Sequence, residues 1–317
     1  MSANLLPFHL GIHPINWVGE DVLEHGDFYS YEQVMEDISS LGFQGTEISR
    51  KFPKDPKKLK RELDRYHLQL TTQWKSVFFS DPNRHSSELL DYRRHVEFLK
   101  EFGCKVVSTA EIGGSMLNQD PRRGQDETVV QRLDEDGWKY MIEGLNQAGE
   151  ICRENGMYLV YHHHAGTVVE QPEEIDRLLE MSDPHLVFLL YDTGHGYYGG
   201  NDPAQLLRRH YERIKYIHLK DIRQHILDRA RQEKYSIRQC IRSGLFTVPG
   251  DGDLDFAPVF KILAEKRYSG WALIEGEQDP VKHNPCEYAK KSKRFIERTF
   301  EQLSDQETAK TAYQSGR

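Results

Sequence analysis

Tyr161-His162-His163-His164-Ala165-Gly166-Thr167 follows directly on the apolar run Met157-Tyr158-Leu159-Val160. A short apolar run of this kind reads as a buried strand, and here it ends in side chains that can ligate a metal or move a proton. The same ending recurs three times. Val187-Phe188-Leu189-Leu190-Tyr191 runs into Asp192 and His195, Ile214-Lys215-Tyr216-Ile217 into His218 and Asp221, and Trp271-Ala272-Leu273-Ile274 into Glu275. Four strands that each finish in a ligand-type residue point to one chemical face built from strand ends.

The rest of the chain supplies the other half of such a fold. Strand-like segments at 8–12, 45–49, 68–74 and 105–111 precede the histidine strand. Helical spacing of apolar residues follows at 31–41, 55–66, 86–102, 136–155, 172–181, from 202, and at 255–266 and 284–303. Asp55-Pro56 and Asp202-Pro203 each place an N-cap before a first-turn proline. Eight strands alternating with eight outer helices, without a shift in composition, predict a single (β/α)8 TIM barrel over residues 1–303, with 304–317 as a frayed polar tail. A doubly wound sheet is the alternative, but no G-x-G-x-x-G follows the first strand. Long connections after the fourth strand (112–134) and the seventh (222–254) fall on the active face. The first is expected to be a lid or binding loop, and the second to begin with one helix over 223–241.

Bulk properties narrow the function. Lys and Arg total 42 against 50 Asp and Glu, a formal net charge of -8, which argues against a sequence-blind grip on nucleic acid and favours small polar substrates. Cys104, Cys152, Cys240 and Cys286 are scattered without a C-x-x-C pair, as in a reduced cytoplasmic protein. The N-terminus has no signal-peptide pattern, and no run has the roughly 18 apolar residues of a membrane span.

In a barrel the C-terminal strand ends share one face, so His162 or His164, Asp192, His218 and Glu275 can converge. Two histidines and two carboxylates form a mixed N/O set suited to Mn²⁺, Co²⁺, Fe²⁺ or Zn²⁺ and poorly suited to Ca²⁺. Strand alternation puts Val160, His162 and His164 on one face and Tyr161 and His163 on the other, so His163 packs behind the barrel or bonds to a neighbour. Each residue also has a plain structural reading. Asp192-Thr193-Gly194-His195 can be an Asx-turn and helix cap, Glu275 can pair with a surface cation, and His13, Trp17, Glu47, Trp74 and Lys75 can be rim packing.

Asp192-Thr193-Gly194-His195, Ile217-His218-Leu219-Lys220-Asp221 and Leu273-Ile274-Glu275 resemble motifs of the xylose-isomerase-like barrel superfamily of sugar isomerases and epimerases. Four further fragments narrow the match: Gly11-Ile12-His13-Pro14-Ile15-Asn16-Trp17, Gly42-Phe43-Gln44-Gly45-Thr46-Glu47, the triple-histidine stretch, and Phe246-Thr247-Val248-Pro249-Gly250-Asp251-Gly252 with Glu275-Gly276-Glu277-Gln278-Asp279-Pro280. Together they are similar to the myo-inosose-2 dehydratases of inositol catabolism, from about Gly11 to Asn284. The resemblance implies a hydro-lyase that removes water from 2-keto-myo-inositol to give a trihydroxycyclohexane-dione. It implies a divalent metal, with Mn or Co expected ahead of Fe, Zn or Mg, and glutathione beside it in some members.

By position the resemblance places the metal on Asp192, His218 and Glu275, with His162 standing where the isomerases and epimerases carry glutamate. A ketose epimerase uses two carboxylates to remove and return a proton, and an imidazole in one place breaks that symmetry. The roles expected for a dehydratase are Glu275 or His164 as base, His195 or Lys75 as helper of the departing hydroxyl, and Asn16, Trp17, Glu47, Trp74 and Arg223 around the substrate ring. The rivals are a ketose isomerase or 3-epimerase of the same superfamily, its endonuclease branch, and a non-catalytic sugar-binding barrel. Superfamily members associate as dimers or tetramers, so a homo-oligomer is the expected assembly.

Overall fold

The computed structural model describes residues 6–118 and 127–315. Its strands are β1 (His9–Ile12), β2 (Gly45–Thr46), β3 (Gln69–Leu70), β4 (Trp74–Val77), β5 (Val106–Glu111), β6 (Tyr158–His162), β7 (Val187–Asp192), β8 (Ile214–Leu219), β9 (Asp221–Ile222), β10 (Phe246–Thr247) and β11 (Trp271–Ile274). Between them run α1 (Tyr31–Ser40), α2 (Pro56–Arg65), α3 (His85–Glu101), α4 (Glu135–Glu154), α5 (Pro172–Met181), α6 (Thr193–Tyr198), α7 (Pro203–His210), α8 (Gln224–Glu233), α9 (Ile237–Arg242) and α10 (Ala257–Glu265), and α11 (Pro285–Ser315) ends the series. The strands of the main sheet are parallel, in the order β3-β2-β1-β11-β8-β7-β6-β5-β4, while β9 and β10 form a separate antiparallel pair. This is the expected (β/α)8 barrel.

The third stave departs from expectation. In place of one strand over 68–74, β3 pairs with β2, and β4 pairs with β5. The chain crosses between them at Thr71-Thr72-Gln73, and a buried hydroxyl joins the sheet there. Thr72 Oγ1 donates to Val106 O at 2.9 Å and accepts from Ser108 N at 3.1 Å, so a side chain does the work of a missing backbone rung.

Two apolar layers follow from strand alternation. Outward-facing Leu159, Tyr161, Leu189, Tyr191, Ile217 and Leu219 pack under the helices, whereas Val106, Val160, Leu190, Tyr216 and Leu273 fill the barrel interior. The interior plug lies one pleat below His162, Asp192, His218 and Glu275, so the site has a dry floor. Cys104, Cys152 and Cys240 are free and buried, and Cys286 is free and half-buried.

Helix caps match the sequence at Asp55, whose carboxylate accepts from Lys58 N, and at Asp202, which accepts from Gln205 N. The helix expected over 223–241 is broken in two. Lys234 adopts a left-handed conformation (φ 54°) that ends α8, and Ser236 with Gln239 forms a capping box that starts α9. The last helix continues through most of the expected polar tail, to Ser315. Residues 119–126 of the expected lid loop lie outside the described residues. No described helix is long and apolar enough to cross a membrane.

Thr72→Val keeps the shape of the side chain but removes the hydroxyl bridge, leaving the Ser108 N–H without its acceptor. It is expected to lower stability by about 1–3 kcal/mol in chemical denaturation, while Thr72→Ser retains most of the wild-type value.

Candidate functional site

The strand ends β6, β7, β8 and β11 are neighbours in the sheet, and each delivers one inward side chain to the same layer. His162 Nε2 lies 3.7 Å from Asp192 Oδ2, His218 Nδ1 lies 3.6 Å from the same oxygen, and Glu275 Oε2 lies 2.5 Å from His218 Nδ1. All four residues are buried; His162 Nε2 and Asp192 Oδ2 have no hydrogen-bond partner, while His218 Nδ1 and Glu275 Oε2 face each other as an ion pair. Polar atoms in a protein interior are nearly always paired, so an open imidazole nitrogen and an open carboxylate oxygen converging beside this pair fit a shared cation. The donor set, two imidazoles and two carboxylates, suits a transition-series divalent ion, and His162, Asp192 and His218 form a compact ligand group by distance alone.

The other atoms of these ligands are held in place. Glu47 Oε1 accepts from His218 Nε2 at 2.7 Å and from Tyr216 OH at 3.1 Å, while Glu47 Oε2 lies 3.5 Å from His13 Nε2. Glu47 holds a proton on His218 Nε2, and Nδ1, which faces Glu275 Oε2, would be the nitrogen offered to an ion once its own proton is given up, as in a carboxylate–histidine–metal arrangement. Burial would raise the Glu47 carboxyl, but the charges and hydrogen bonds of His13 and His218 hold it well below its ordinary range. Burial likewise disfavours a charged His218, yet Glu275 and Glu47 keep its pKa well above the usual imidazole value. Asp192 caps α6, its Oδ1 accepting from His195 N at 2.7 Å, which leaves Oδ2 for the centre.

Above this layer opens a cleft of about 340 Å³, with His162, His218 and Glu275 at its base and Trp74, His164 and Glu277 among its lining groups. The Trp74 ring stands edge-on to His162 and His164, with centroids 5.2 and 5.4 Å away. His164 Nδ1 is 2.8 Å from the Ala165 carbonyl, which can only accept, so the proton sits on Nδ1 and Nε2 carries a free lone pair. Burial, followed by the charge of His162, pushes the His164 pKa well below its ordinary value, so the ring is neutral. His163 points the other way and accepts from Asp192 N at 3.3 Å, as strand alternation requires.

Several side chains expected at the site face elsewhere. Lys75 follows inward-facing Trp74 on the same strand, so the pleat turns it outward into an ion pair with Asp91 on α3. Asn16 is a buried clasp: its amide donates to His13 O at 2.7 Å and to Ile274 O at 3.2 Å, and it accepts from Gly276 N at 2.9 Å. Trp17 is fully buried in the core with its indole N–H on Asp37 at 2.9 Å. The Arg223 guanidinium is consumed by the carbonyls of Gly244 and Phe246 and by Thr247, Asp251 and Gln278. His195 is fully buried behind His164, the two rings stacked at 3.6 Å, so it does not reach the cleft. Glu47 does border the cleft, but both of its oxygens are turned toward protein donors.

Four residues join the site without having been singled out. Lys220 lies two residues beyond His218, so the parity that selects His218 also selects it, whereas Glu277 lies past the end of β11 in a left-handed turn (φ 44°) that brings it back to Lys220. Lys220 Nζ contacts Glu277 Oε2 at 2.7 Å, His195 Nε2 at 2.8 Å and Glu275 Oε1 at 3.1 Å. Arg238 on α9 lines the cleft and ties its rim together, donating to the carbonyls of Asp21 (3.2 Å), Met116 (3.3 Å) and Leu117 (3.2 Å). Asp21 lies on the same wall. Nothing in the local sequence around Asp21 or Arg238 marks them, because their place depends on how distant loops fold over the barrel.

A model of the xylose isomerase-like TIM barrel family matches residues 35–299. The chain belongs to this family. Two curated relatives are named inosose dehydratase. The one from Geobacillus kaustophilus is 46% identical over 303 residues, covering 96% of this chain and 98% of its own length. The one from Clostridium tetani is 44% identical over 292 residues, covering 91% and 96%. The resemblance seen in the sequence is therefore borne out along nearly the whole chain. Among solved structures, L-ribulose 3-epimerase superposes with a TM-score of 0.68 over 95% of this chain and 97% of its own, at 16% identity, which establishes the shared xylose isomerase-like fold.

Glu47→Gln removes the carboxylate that orients His218 and is expected to weaken divalent-metal binding about 10–100-fold in a calorimetric titration. Lys75→Ala breaks only a rim ion pair, so turnover should stay at the wild-type level with a stability change of no more than about 1 kcal/mol.

Proposed function

We propose that this chain is a metal-dependent dehydratase of 2-keto-myo-inositol, forming a trihydroxycyclohexane-dione by loss of one water. The observation that carries this reading is the ligand layer of His162, Asp192, His218 and Glu275 with the bare Nε2 of His164 beside it. The names of the curated relatives supply the substrate class. Held by those four residues, Mn²⁺ or Co²⁺ would supply Lewis acidity at the ketone oxygen, several kcal/mol of charge stabilisation in sites of this kind.

The protein groups then divide the remaining work. Glu275 is engaged by His218 and Lys220, whereas His164 Nε2 is free, so His164 is the base that takes the proton from the carbon next to the ketone. The hydroxyl on the following carbon departs, and the proton and hydroxyl together balance as one water. Trp74 offers a flat apolar wall to one face of the ring. Arg238, Asp21 and Glu277 border the same cleft and are placed to bind ring hydroxyls. An imidazole as base and His162 among the ligands, instead of a symmetrical pair of carboxylates, favour one-way proton removal over epimerisation.

Protein stripped by a chelator should lose turnover of inosose and regain it with Mn²⁺ or Co²⁺, read as the rise of conjugated-product absorbance. Full activity after exhaustive chelation rejects the metal, and solvent deuterium entering a ketose without water loss rejects the dehydration. His164→Asn should lower kcat by about 10²–10⁴-fold with a much smaller effect on KM. Unchanged kcat would remove His164 from the role of base.

A further inference from the structure

Lys220 is among the largest fully buried side chains of the protein. Its backbone is pinned by Thr193, which donates to Lys220 O at 2.6 Å and accepts from Lys220 N at 2.9 Å. Its stem runs against Gly194, where an added Cβ would come within 2.6 Å of Lys220 Cγ, so the glycine leaves room for the lysine. The ammonium faces two carboxylate acceptors, Glu275 Oε1 and Glu277 Oε2, and lies 2.8 Å from His195 Nε2, with the Phe246 ring 4.6 Å away.

The same three groups have the spacing of a metal-ligand set. His195, Glu275 and Glu277 each offer one atom to a second compact metal-binding group, with all three atoms within 4.8 Å of one another. One imidazole nitrogen and two carboxylates form the same class of donor set as the first centre. Glu275 reaches from this group to the first one: Oε2 faces His218, and Oε1 faces Lys220. This is how a carboxylate bridges two ions in a dinuclear site. Glu277 Oε1 is buried and makes no hydrogen bond to a protein donor, and Asp21 lines the same wall of the cleft.

We propose that Lys220 is a built-in second cation. Its ammonium occupies the place where Glu275, Glu277 and His195 would otherwise hold a second divalent ion, and so limits the centre to one metal. The inference deepens the metal-centre reading and rests on it for the role of Glu275 as a shared ligand. A covalently attached charge cannot dissociate, it holds Glu275 Oε1 so that only Oε2 is offered to the first site, and it keeps the His195 ring fixed beneath His164.

The test is the metal content of purified Lys220→Ala against wild type after equilibration with Mn²⁺ and removal of free ion, with folding checked by circular dichroism. Lys220→Ala should gain one equivalent of Mn²⁺ per chain and show the electron-spin signature of a coupled Mn pair. Adding Glu277→Gln to it should abolish the gain. Lys220→Gln, whose amide can keep a hydrogen bond to the cluster, carries the same expectation should the alanine variant fail to fold. An equal metal content in folded wild type and Lys220 variants overturns the proposal, as does a gain that survives Glu277→Gln. The increment tests Lys220, while the wild-type content tests the first centre. Metal-free wild type with the increment intact would reject the first centre and leave the built-in cation standing.

Discussion

The chemistry of this protein depends on the pleat of four adjacent parallel strands. Alternation along β6, β7, β8 and β11 sends Val160, Leu190, Tyr216 and Leu273 into the barrel axis, and two residues later it sends His162, Asp192, His218 and Glu275 into the layer above. The apolar layer excludes water from below, which makes every charge interaction above it stronger. Register matters as much as alternation. Leu189 pairs with Ile214, but the ladder then slips by one residue, so that Leu190 pairs with Tyr216 and Asp192 with His218. Without that slip Asp192 would lie opposite Ile217, and the two ligands would point to opposite faces of the sheet.

Burying so many ionisable groups is costly, and the arrangement shows how the cost is offset. Glu47, Asp192, Glu275 and Glu277 are all buried, yet each has a cation or a polarised imidazole within reach: His13 and His218 for Glu47, His162 and His218 for Asp192, and Lys220 for Glu275 and Glu277. The groups are coupled, so removing one leaves an uncompensated charge on another. Burial in turn keeps His164 neutral and available as a base. A single dry layer thus gathers ligands and also sets the protonation state of the residue beside them.

The rim is organised by different means. Asn16 clasps the loop after β1 to the end of β11, Arg223 holds the β9–β10 connection, and Arg238 binds the loops after β1 and β5 to α9. Asn16 and Arg223 sit beside catalytic-looking motifs and were expected to touch substrate, but their polar atoms are consumed by backbone and loop partners. Polar residues at the mouth of a barrel serve loop closure as readily as catalysis, and sequence position does not tell the two apart. Donor and acceptor counts do. The amide of Asn16 and the terminal nitrogens of Arg223 are occupied, whereas His164 retains a free lone pair.

From the sequence by itself, the alternation of strands and helices pointed to the barrel, and the period of two along each strand placed His162 or His164 with Asp192, His218 and Glu275 on one face and turned His163 outward. The same rule could have identified Lys220 and excluded Lys75, which differs from Trp74 by one position, whereas Glu277 depends on a left-handed turn beyond β11. Tertiary structure alone decided the rest: the division of the third stave at Thr72, the slip between β7 and β8, the burial of Trp17 and His195, and the convergence of Asp21 and Arg238 on one wall. These features depend on contacts between segments far apart in the chain, where no local period operates and where closure of the barrel fixes which atoms meet.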